Sequence, residues 1–157
     1  EVFGFLRMTD EQTKPVVKVV AGILCRDQKV LLARRPAGDP LAGFWEFPGG
    51  KVEPGETPQR ALERELDEEF GVKVRAGDFL ASRLHSYPDR TIELVVYWAT
   101  IEGEIAELNA HDDVAWVSPT DLEHYPLAPA DEFLKEILLV RSWGSDAIAA
   151  TQEEASC

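Results

Sequence analysis

The spacing of hydrophobic and polar residues changes several times along this chain of 157 residues. Residues 16–24 and 29–34 are nearly continuous apolar runs of strand length, and the polar residues 26–28 separate them. This pattern predicts two buried strands joined by a hairpin turn. Prolines and glycines then recur through residues 36–44, which predicts a loop.

Further strands and a closing helix are predicted in the second half of the chain. Residues 73–84 and 91–101 have strand patterns on either side of a turn at 86–90. Within 91–101, residues of the two faces alternate, which is typical of a strand in a half-buried sheet. Residues 114–117 predict another short strand, and residues 131–142 predict an amphipathic helix.

A helix with readable ends is predicted at residues 58–70. Thr57 is a residue type favoured at the N-cap, and Pro58 suits the first helical position because its missing N–H leaves no bond unmade. Gly71 suits the left-handed position that ends many helices. An apolar stripe, predicted to bury against a core, recurs at every fourth residue: Leu62, Leu66 and Phe70.

Three carboxylates share another face of this helix. Glu65, Glu68 and Glu69 occupy positions i, i+3 and i+4, which lie side by side on a helix. Just upstream, the Pro-Gly-Gly sequence of residues 48–50 predicts a sharp turn that exposes backbone carbonyls. Oxygen ligands gathered in this way suit a divalent cation. The alternative is a solvated acidic face, which is the usual fate of a run of like charges.

The spacing of these residues extends into a longer motif. From Gly50 to Val72 the chain follows the pattern Gly-x5-Glu-x7-Arg-Glu-Leu-x-Glu-Glu-x-Gly-Val. This pattern resembles the complete signature box of the Nudix hydrolases. The resemblance implies an α/β fold, the Nudix α/β/α sandwich, in which a mixed β-sheet lies between helices. We therefore predict a Nudix hydrolase domain at residues 15–142.

Segments outside the box narrow the resemblance. Residues 45–51 and 87–90 look like the MutT branch, which hydrolyses nucleoside triphosphates. Residues 125–131 are similar to a stretch of the bacterial CTP pyrophosphohydrolases of that branch. Both ends of the chain look peripheral, so we predict a flexible N-terminal segment at 1–14 and a disordered C-terminal tail at 143–157.

Composition and charge agree with one enzyme domain. The net charge of −13 argues against binding to a nucleic-acid polymer, which needs a basic surface. No apolar run approaches the length of a membrane span, so no membrane partner is expected. The two cysteines, Cys25 and Cys157, predict no disulfide framework, and a reducing cytoplasm is the expected location. Nudix relatives form monomers and homodimers, and both states stay open here.

The family resemblance implies a metal site built on the box. Glu65, Glu68 and Glu69 are predicted to hold Mg²⁺, for which Mn²⁺ can substitute, and the Gly49 carbonyl is the implied backbone ligand. Asp112 is the nearest match to a further acidic ligand that some MutT-type enzymes recruit, although the family residue there is usually glutamate. Among the three glutamates, Glu65 is the first candidate for a metal ligand and Glu68 is the first candidate for the general base. The cation would offset the charge of a polyanionic substrate.

Arg64 and Glu56 are assigned to the support of this site. Arg64 is predicted to orient a catalytic carboxylate through charge-assisted hydrogen bonds. Glu56 is predicted to pair with Arg64 and to tie the loop to the helix, and its alternative role is a charge that favours the helix N-terminus. The three histidines are interpreted as solvated residues: His85, His111 and His124.

Substrate contacts are predicted at the other end of the cleft. By resemblance, Arg35 and Arg90 contact phosphate or sugar, while Phe47 and Leu127 pack against the base. The alternatives are a surface charge for Arg35, a turn residue for Arg90 and a core residue for Phe47. Asp131 is predicted to accept hydrogen bonds from amino or ring N–H groups of the base, or else to be the N-cap of the closing helix.

The predicted activity is hydrolysis of a nucleoside triphosphate to a monophosphate and pyrophosphate, which would cleanse the nucleotide pool. 8-oxo-dGTP is the first-choice substrate, and CTP or a modified dCTP is the second. Hydrolysis of ADP-ribose and a non-catalytic nucleotide-binding module are the alternatives. The complete set of box glutamates favours catalysis over binding alone.

Overall fold

A computed structural model describes residues 14–144 of the chain, with side chains described up to residue 141. The predicted flexible segment 1–14 and the predicted tail 143–157, which includes Cys157, lie outside the described residues except at their inner edges. Among the described residues, no helix combines the length and the apolar character that a membrane crossing requires.

A mixed sheet of seven strands forms the centre of the described residues. Its main path runs β3-β2-β1-β6-β5, while β4 pairs with β1 and β7 pairs with β2. β1 is parallel to β6 and antiparallel to β2 and β4. The strands are β1 (Val16–Arg26), β2 (Lys29–Arg34), β3 (Trp45–Glu46), β4 (Gly49–Lys51), β5 (Lys73–Ser86), β6 (Thr91–Glu102) and β7 (Asp113–Val117).

The strands that were predicted lie within two residues of their predicted bounds, and β3 and β4 were missed. A strand of two or three residues is too short to show an alternating pattern. The hairpin turn between β1 and β2 is confirmed, since Arg26 pairs with Lys29 across it. Asp27 and Gln28 have φ angles of 53° and 64°, the left-handed conformation that a tight two-residue hairpin turn requires.

Helices cover both faces of the sheet, which confirms the predicted α/β/α sandwich. They are α1 (Pro58–Phe70) and α2 (Phe133–Gly144). The closing helix begins two residues later than predicted because Pro129–Asp131 forms a separate 3-10 turn. A second 3-10 helix at Pro119–His124 was not predicted.

Alternate residues of β1 supply the two cores on either side of the sheet. Val20 packs with Leu62 of α1, whereas Ile23 packs with Leu134 of α2. β6 is buried in the same way, because Val95 joins the α1 side while its apolar neighbours join the α2 side. The expectation that β6 is buried on one face only is therefore wrong. β6 lies between β1 and β5, and a helix layer covers each face.

Candidate active site

The paired glycines before α1 form strand β4 and not the predicted turn. Gly49 pairs with Ala21 and Gly50 with Val20 of β1. A Cβ atom on Gly49 would lie 1.8 Å from the Val20 carbonyl oxygen, and one on Gly50 would lie 2.2 Å from Cδ of Glu65. Glycine is therefore required here because a strand and a helix carboxylate approach the same stretch of backbone.

The structure confirms the predicted ends and the buried stripe of α1. The side chain of Thr57 accepts a hydrogen bond from the Arg60 N–H at 3.2 Å, so Thr57 is the N-cap. Gly71 ends the helix with a φ angle of 61°. The predicted stripe is fully buried, and this fixes the rotation of the helix about its axis: Leu62, Leu66 and Phe70. The carboxylate face consequently turns toward β4.

Arg64 and Glu56 form the predicted ion pair. Nε of Arg64 donates to Oε2 of Glu56 at 2.7 Å, and Nη2 donates to Oε1 at 2.9 Å. This bidentate contact with the guanidinium is the main reason that the pKa of Glu56 is lowered to about 2, and a hydrogen bond from the Glu53 N–H adds to it. The loop before α1 is thereby tied to the helix.

Arg64 also reaches two carboxylates on the predicted metal-binding face. Its Nη1 donates to Oε2 of Glu65 at 3.3 Å and to Oε1 of Glu68 at 3.4 Å. Its Nη2 donates to the Lys51 carbonyl of β4 at 3.1 Å. Arg64 therefore links β4, the loop and the carboxylates, which is the geometry that an orienting residue requires.

Glu69 is the third carboxylate of the face, and its environment differs from that of Glu68. Its Oε1 is buried and has no hydrogen-bond partner. Burial raises the pKa of Glu69 to about 8, and the negative charge of nearby Glu65 adds to this effect. Because a buried acceptor without a donor is costly, this oxygen has spare capacity for a ligand.

The donor set fits a divalent cation. Carboxylate and carbonyl oxygens are the ligands that Mg²⁺ prefers, and Glu69, which has an unpartnered oxygen, lines the same cleft as Gly49. Within residues 14–144, no three acidic, histidine or cysteine side chains lie close enough together to form a complete metal-binding group. Ligation by all three glutamates therefore requires some of their side chains to rotate.

Asp112, the predicted further ligand, is paired with Arg34 at the end of β2. Oδ1 of Asp112 accepts a hydrogen bond from Nε of Arg34 at 2.7 Å. Asp112 does not line the cleft, whereas the preceding residue, His111, does. To act as a ligand, Asp112 would have to give up this pairing with Arg34.

A cleft of about 300 Å³ runs from the box to the start of the closing helix. Gly49 and Glu69 line it at the box end, and Phe47, Tyr87 and Asp131 line it elsewhere. A cavity of this size is at the lower limit of sites for small molecules. Gly49 and Glu69 of the predicted metal site thus share one cavity with Phe47 and Asp131, whereas Glu65 and Glu68 do not line it.

Two of the predicted substrate contacts already have partners within the protein. Arg35 lines the cleft, but its guanidinium pairs with Asp39 at 2.8 Å and with Glu46 at 2.7 Å. Arg90 also lines the cleft, where it contacts Asp89 at 3.2 Å.

The two apolar contacts predicted for the base are placed differently. Phe47 is buried and also lines the cleft, so it is a core residue and a cleft residue at the same time. Leu127 is buried in the α2-side core and does not line the cleft. The structure therefore does not bring Leu127 to a base, and its neighbour Ala128 occupies the cleft wall instead.

Asp131 is buried and points toward the backbone of residue 47. Its Oδ2 accepts a hydrogen bond from the Phe47 N–H at 2.9 Å, across a separation of 84 residues. Burial raises the pKa of Asp131 to about 8, and the charge of Glu46 contributes. The carboxyl therefore keeps its proton to a higher pH than an ordinary aspartate, and only its protonated form both donates and accepts. The hydrogen bond that the side chain makes is to the backbone of residue 47, and base recognition by Asp131 stays a prediction.

Several residues that line the cleft were assigned no role from the sequence, and two of these contact each other, Glu46 and His111. Glu46 directly precedes Phe47, yet the strand pattern around it gave no signal. His111 was interpreted as a solvated loop residue, and this is wrong because only 3% of its side-chain surface is exposed. Its ring stacks on Phe70 with centroids 5.3 Å apart, a contact made possible by the packing of the loop against α1. His124 is exposed as expected.

Comparisons with known proteins agree with the fold and the box. The family model described as NUDIX domain matches residues 15–141. The chain is 42% identical over 124 residues to a CTP pyrophosphohydrolase of Escherichia coli K12, covering 79% of this chain and 92% of the relative. It is 43% identical over 88 residues to an 8-oxo-dGTP diphosphatase of Proteus vulgaris, covering 55% and 79%.

A solved structure extends this similarity to three dimensions. The solution structure of the E. coli ORF135 protein aligns with a TM-score of 0.69 and 41% identity, covering 83% of this chain and 94% of that one. The chain therefore belongs to the Nudix hydrolase family and is of the MutT type. Enzymes of this family act on phosphorus-containing anhydrides, as the resemblance of the box implied.

Proposed function

We propose that this protein is a divalent-metal-dependent nucleoside triphosphate diphosphatase that releases a nucleoside monophosphate and pyrophosphate. The observation that carries the proposal is one cleft that is lined both by Gly49 and Glu69 of the box and by Phe47 and Asp131. A triphosphate substrate needs both groups of residues. Its phosphates require offsetting charge, and its base requires a shaped, partly apolar pocket.

At the box end, Glu65, Glu68, Glu69 and the Gly49 carbonyl would hold Mg²⁺ or Mn²⁺. When bound, the cation supplies positive charge that offsets the phosphate chain and makes water more acidic. Arg64 orients Glu65 and Glu68 through its hydrogen bonds. In this proposal Glu65 is the foremost ligand, and Glu68 is the general base that accepts the proton of the attacking water.

At the other end, the Asp131 carboxyl and Phe47 would contact the base. Because its pKa is raised, the carboxyl favours the protonated form, which offers one donor and one acceptor and matches an edge that has both, as do oxidised guanine and cytosine. 8-oxo-dGTP therefore stays the first substrate to test. CTP and modified dCTP stand beside it, because similarity to the CTP pyrophosphohydrolase extends over 92% of that relative.

The deciding experiment compares initial-rate kcat/KM with Mg²⁺ for 8-oxo-dGTP, dGTP, CTP, 5-methyl-dCTP and ADP-ribose, with products separated by chromatography. We expect an oxidised-guanine or a cytidine triphosphate to lead and to yield monophosphate and pyrophosphate. A lead for ADP-ribose would overturn the triphosphate assignment. Nucleotide binding without turnover of any compound would favour a non-catalytic module instead.

A further inference from the structure

His111 occupies a buried position between α1 and the floor of the cleft. Its ring stacks on Phe70, the last residue of α1, with an interplanar angle of 12°. Phe70 is itself fully buried, so this contact fixes the plane of the imidazole. The position of the ring is thus coupled to the helix that carries the box carboxylates.

The ring makes one polar contact, to a carboxylate that lines the cleft. Nε2 of His111 lies 2.7 Å from Oε2 of Glu46. Because a carboxylate only accepts, Nε2 is the donor in this contact. The other oxygen of Glu46 accepts from Nη1 of Arg35 at 2.7 Å, and Asp39 holds Arg35 in turn through two hydrogen bonds of 2.8 Å.

Glu46 lines the same cleft as Glu69 of the box and Asp131. Each of its oxygens accepts one hydrogen bond within the protein, so each keeps a lone pair for a donor on a ligand. Amino and ring N–H groups of a base are donors of this kind.

The second ring nitrogen shows that His111 is more than a packing residue. Nδ1 is buried and has no hydrogen-bond partner. Burying an unpaired polar atom costs free energy, and a phenylalanine would fill the same space against Phe70 without that cost. The contact from Nε2 to Glu46 therefore explains why this position carries an imidazole.

We propose that His111 is a positioning residue that fixes the Glu46 carboxylate in the cleft and thereby sets the ranking of triphosphates by their base. This inference rests on the proposed function. In this role, His111 does not contact the reacting atoms. Without the Nε2 donor, Arg35 alone restrains Glu46, and the carboxylate is free to turn away from the position in which it selects a base.

Two variants separate positioning from packing. His111→Phe keeps the stacked ring and removes the donor, while His111→Gln removes the ring but supplies an amide N–H donor. We expect His111→Phe to change the ratio of kcat/KM between the two best triphosphates by about tenfold, the scale of one charge-assisted hydrogen bond. We expect His111→Gln to restore the wild-type ratio at least in part. His124→Gln is the matched control, because that histidine is exposed.

The outcomes distinguish this inference from the function on which it rests. Triphosphate hydrolysis by the wild-type protein with an unchanged ratio in His111→Phe would overturn the role of His111 alone. A uniform loss on all substrates in both variants would also overturn it, because that pattern indicates a purely structural residue. Absence of triphosphate hydrolysis by the wild-type protein would overturn the proposed function and this inference together.

Discussion

Glu68 is the exposed member of the three carboxylates on α1, with 58% of its side-chain surface accessible. We expect Glu68→Gln to keep the fold and to lower kcat by about 10²–10⁴-fold, because an amide cannot act as a general base. Initial rates at saturating Mg²⁺ measure this effect. Asp67→Asn removes a neighbouring exposed charge and is the control. A near-wild-type rate for Glu68→Gln would assign the base to another residue.

A second single residue, Asp131, is expected to affect the selectivity for the base. An asparagine keeps an acceptor for the Phe47 N–H and replaces a carboxyl, whose donor depends on protonation, with a permanent amide donor. We therefore expect Asp131→Asn to change the ranking of bases more than the rate on the best substrate, as measured by kcat/KM across the same panel. If all substrates lost activity equally, Asp131 would have a structural role only.

At the scale of elements, the loop between β6 and β7 closes the C-terminal end of α1. The Phe70 carbonyl accepts the Glu107 N–H at 3.1 Å, and the Glu69 carbonyl accepts the Asn109 N–H at 2.9 Å. Nδ2 of Asn109 donates to the Glu68 carbonyl at 2.8 Å. The last turn of α1, which carries two box glutamates, is therefore held by this loop and not only by its own hydrogen bonds.

Removal of the Asn109 side chain should loosen that turn. We expect Asn109→Ala to lower the free energy of unfolding by about 1 kcal/mol, the typical value of one hydrogen bond. We also expect it to raise the Mg²⁺ concentration needed for the half-maximal rate, since Glu68 and Glu69 become less well placed. Glu107→Gln keeps an acceptor for Asn109 and is the matched control. An unchanged Mg²⁺ requirement would show that the loop supports stability alone.

At the scale of the whole molecule, the buried Asp131 carboxyl makes stability depend on pH. Its pKa rises from the ordinary value of 3.8 to about 8, so the folded state binds this proton more tightly than the unfolded state. The resulting stabilisation is complete below about pH 4 and is lost as the pH rises toward about 8. We expect the free energy of unfolding of the metal-free protein, measured with urea, to fall over that range.

Substitution isolates the contribution of Asp131. In Asp131→Asn the slope of unfolding free energy against pH should be smaller, because the titrating group is gone. Glu123→Gln is the control, since 76% of the Glu123 side chain is exposed and its removal should leave the slope unchanged. An equal slope in the wild-type protein and in Asp131→Asn would contradict the assignment of the raised pKa to Asp131.

The sequence by itself determined the elements whose signals are local. The caps and buried stripe of α1 depend on residues within one helix, and the box depends on spacing within residues 50–72. The predicted pairing of Glu56 with Arg64 is found because both lie within that segment. The family fold followed from the box, because its fixed spacing is specific enough to identify the family.

Only the tertiary structure decided the contacts between distant segments. β4 forms because Gly49 and Gly50 meet β1, although their residue types predict a turn. The Glu46–His111 contact spans 65 residues, and the Asp131–Phe47 contact spans 84. Residue type and local spacing carry no information about such pairs. They arise because the sheet and its two helix layers bring these segments to the same cleft, where burial then determines which side chains need partners.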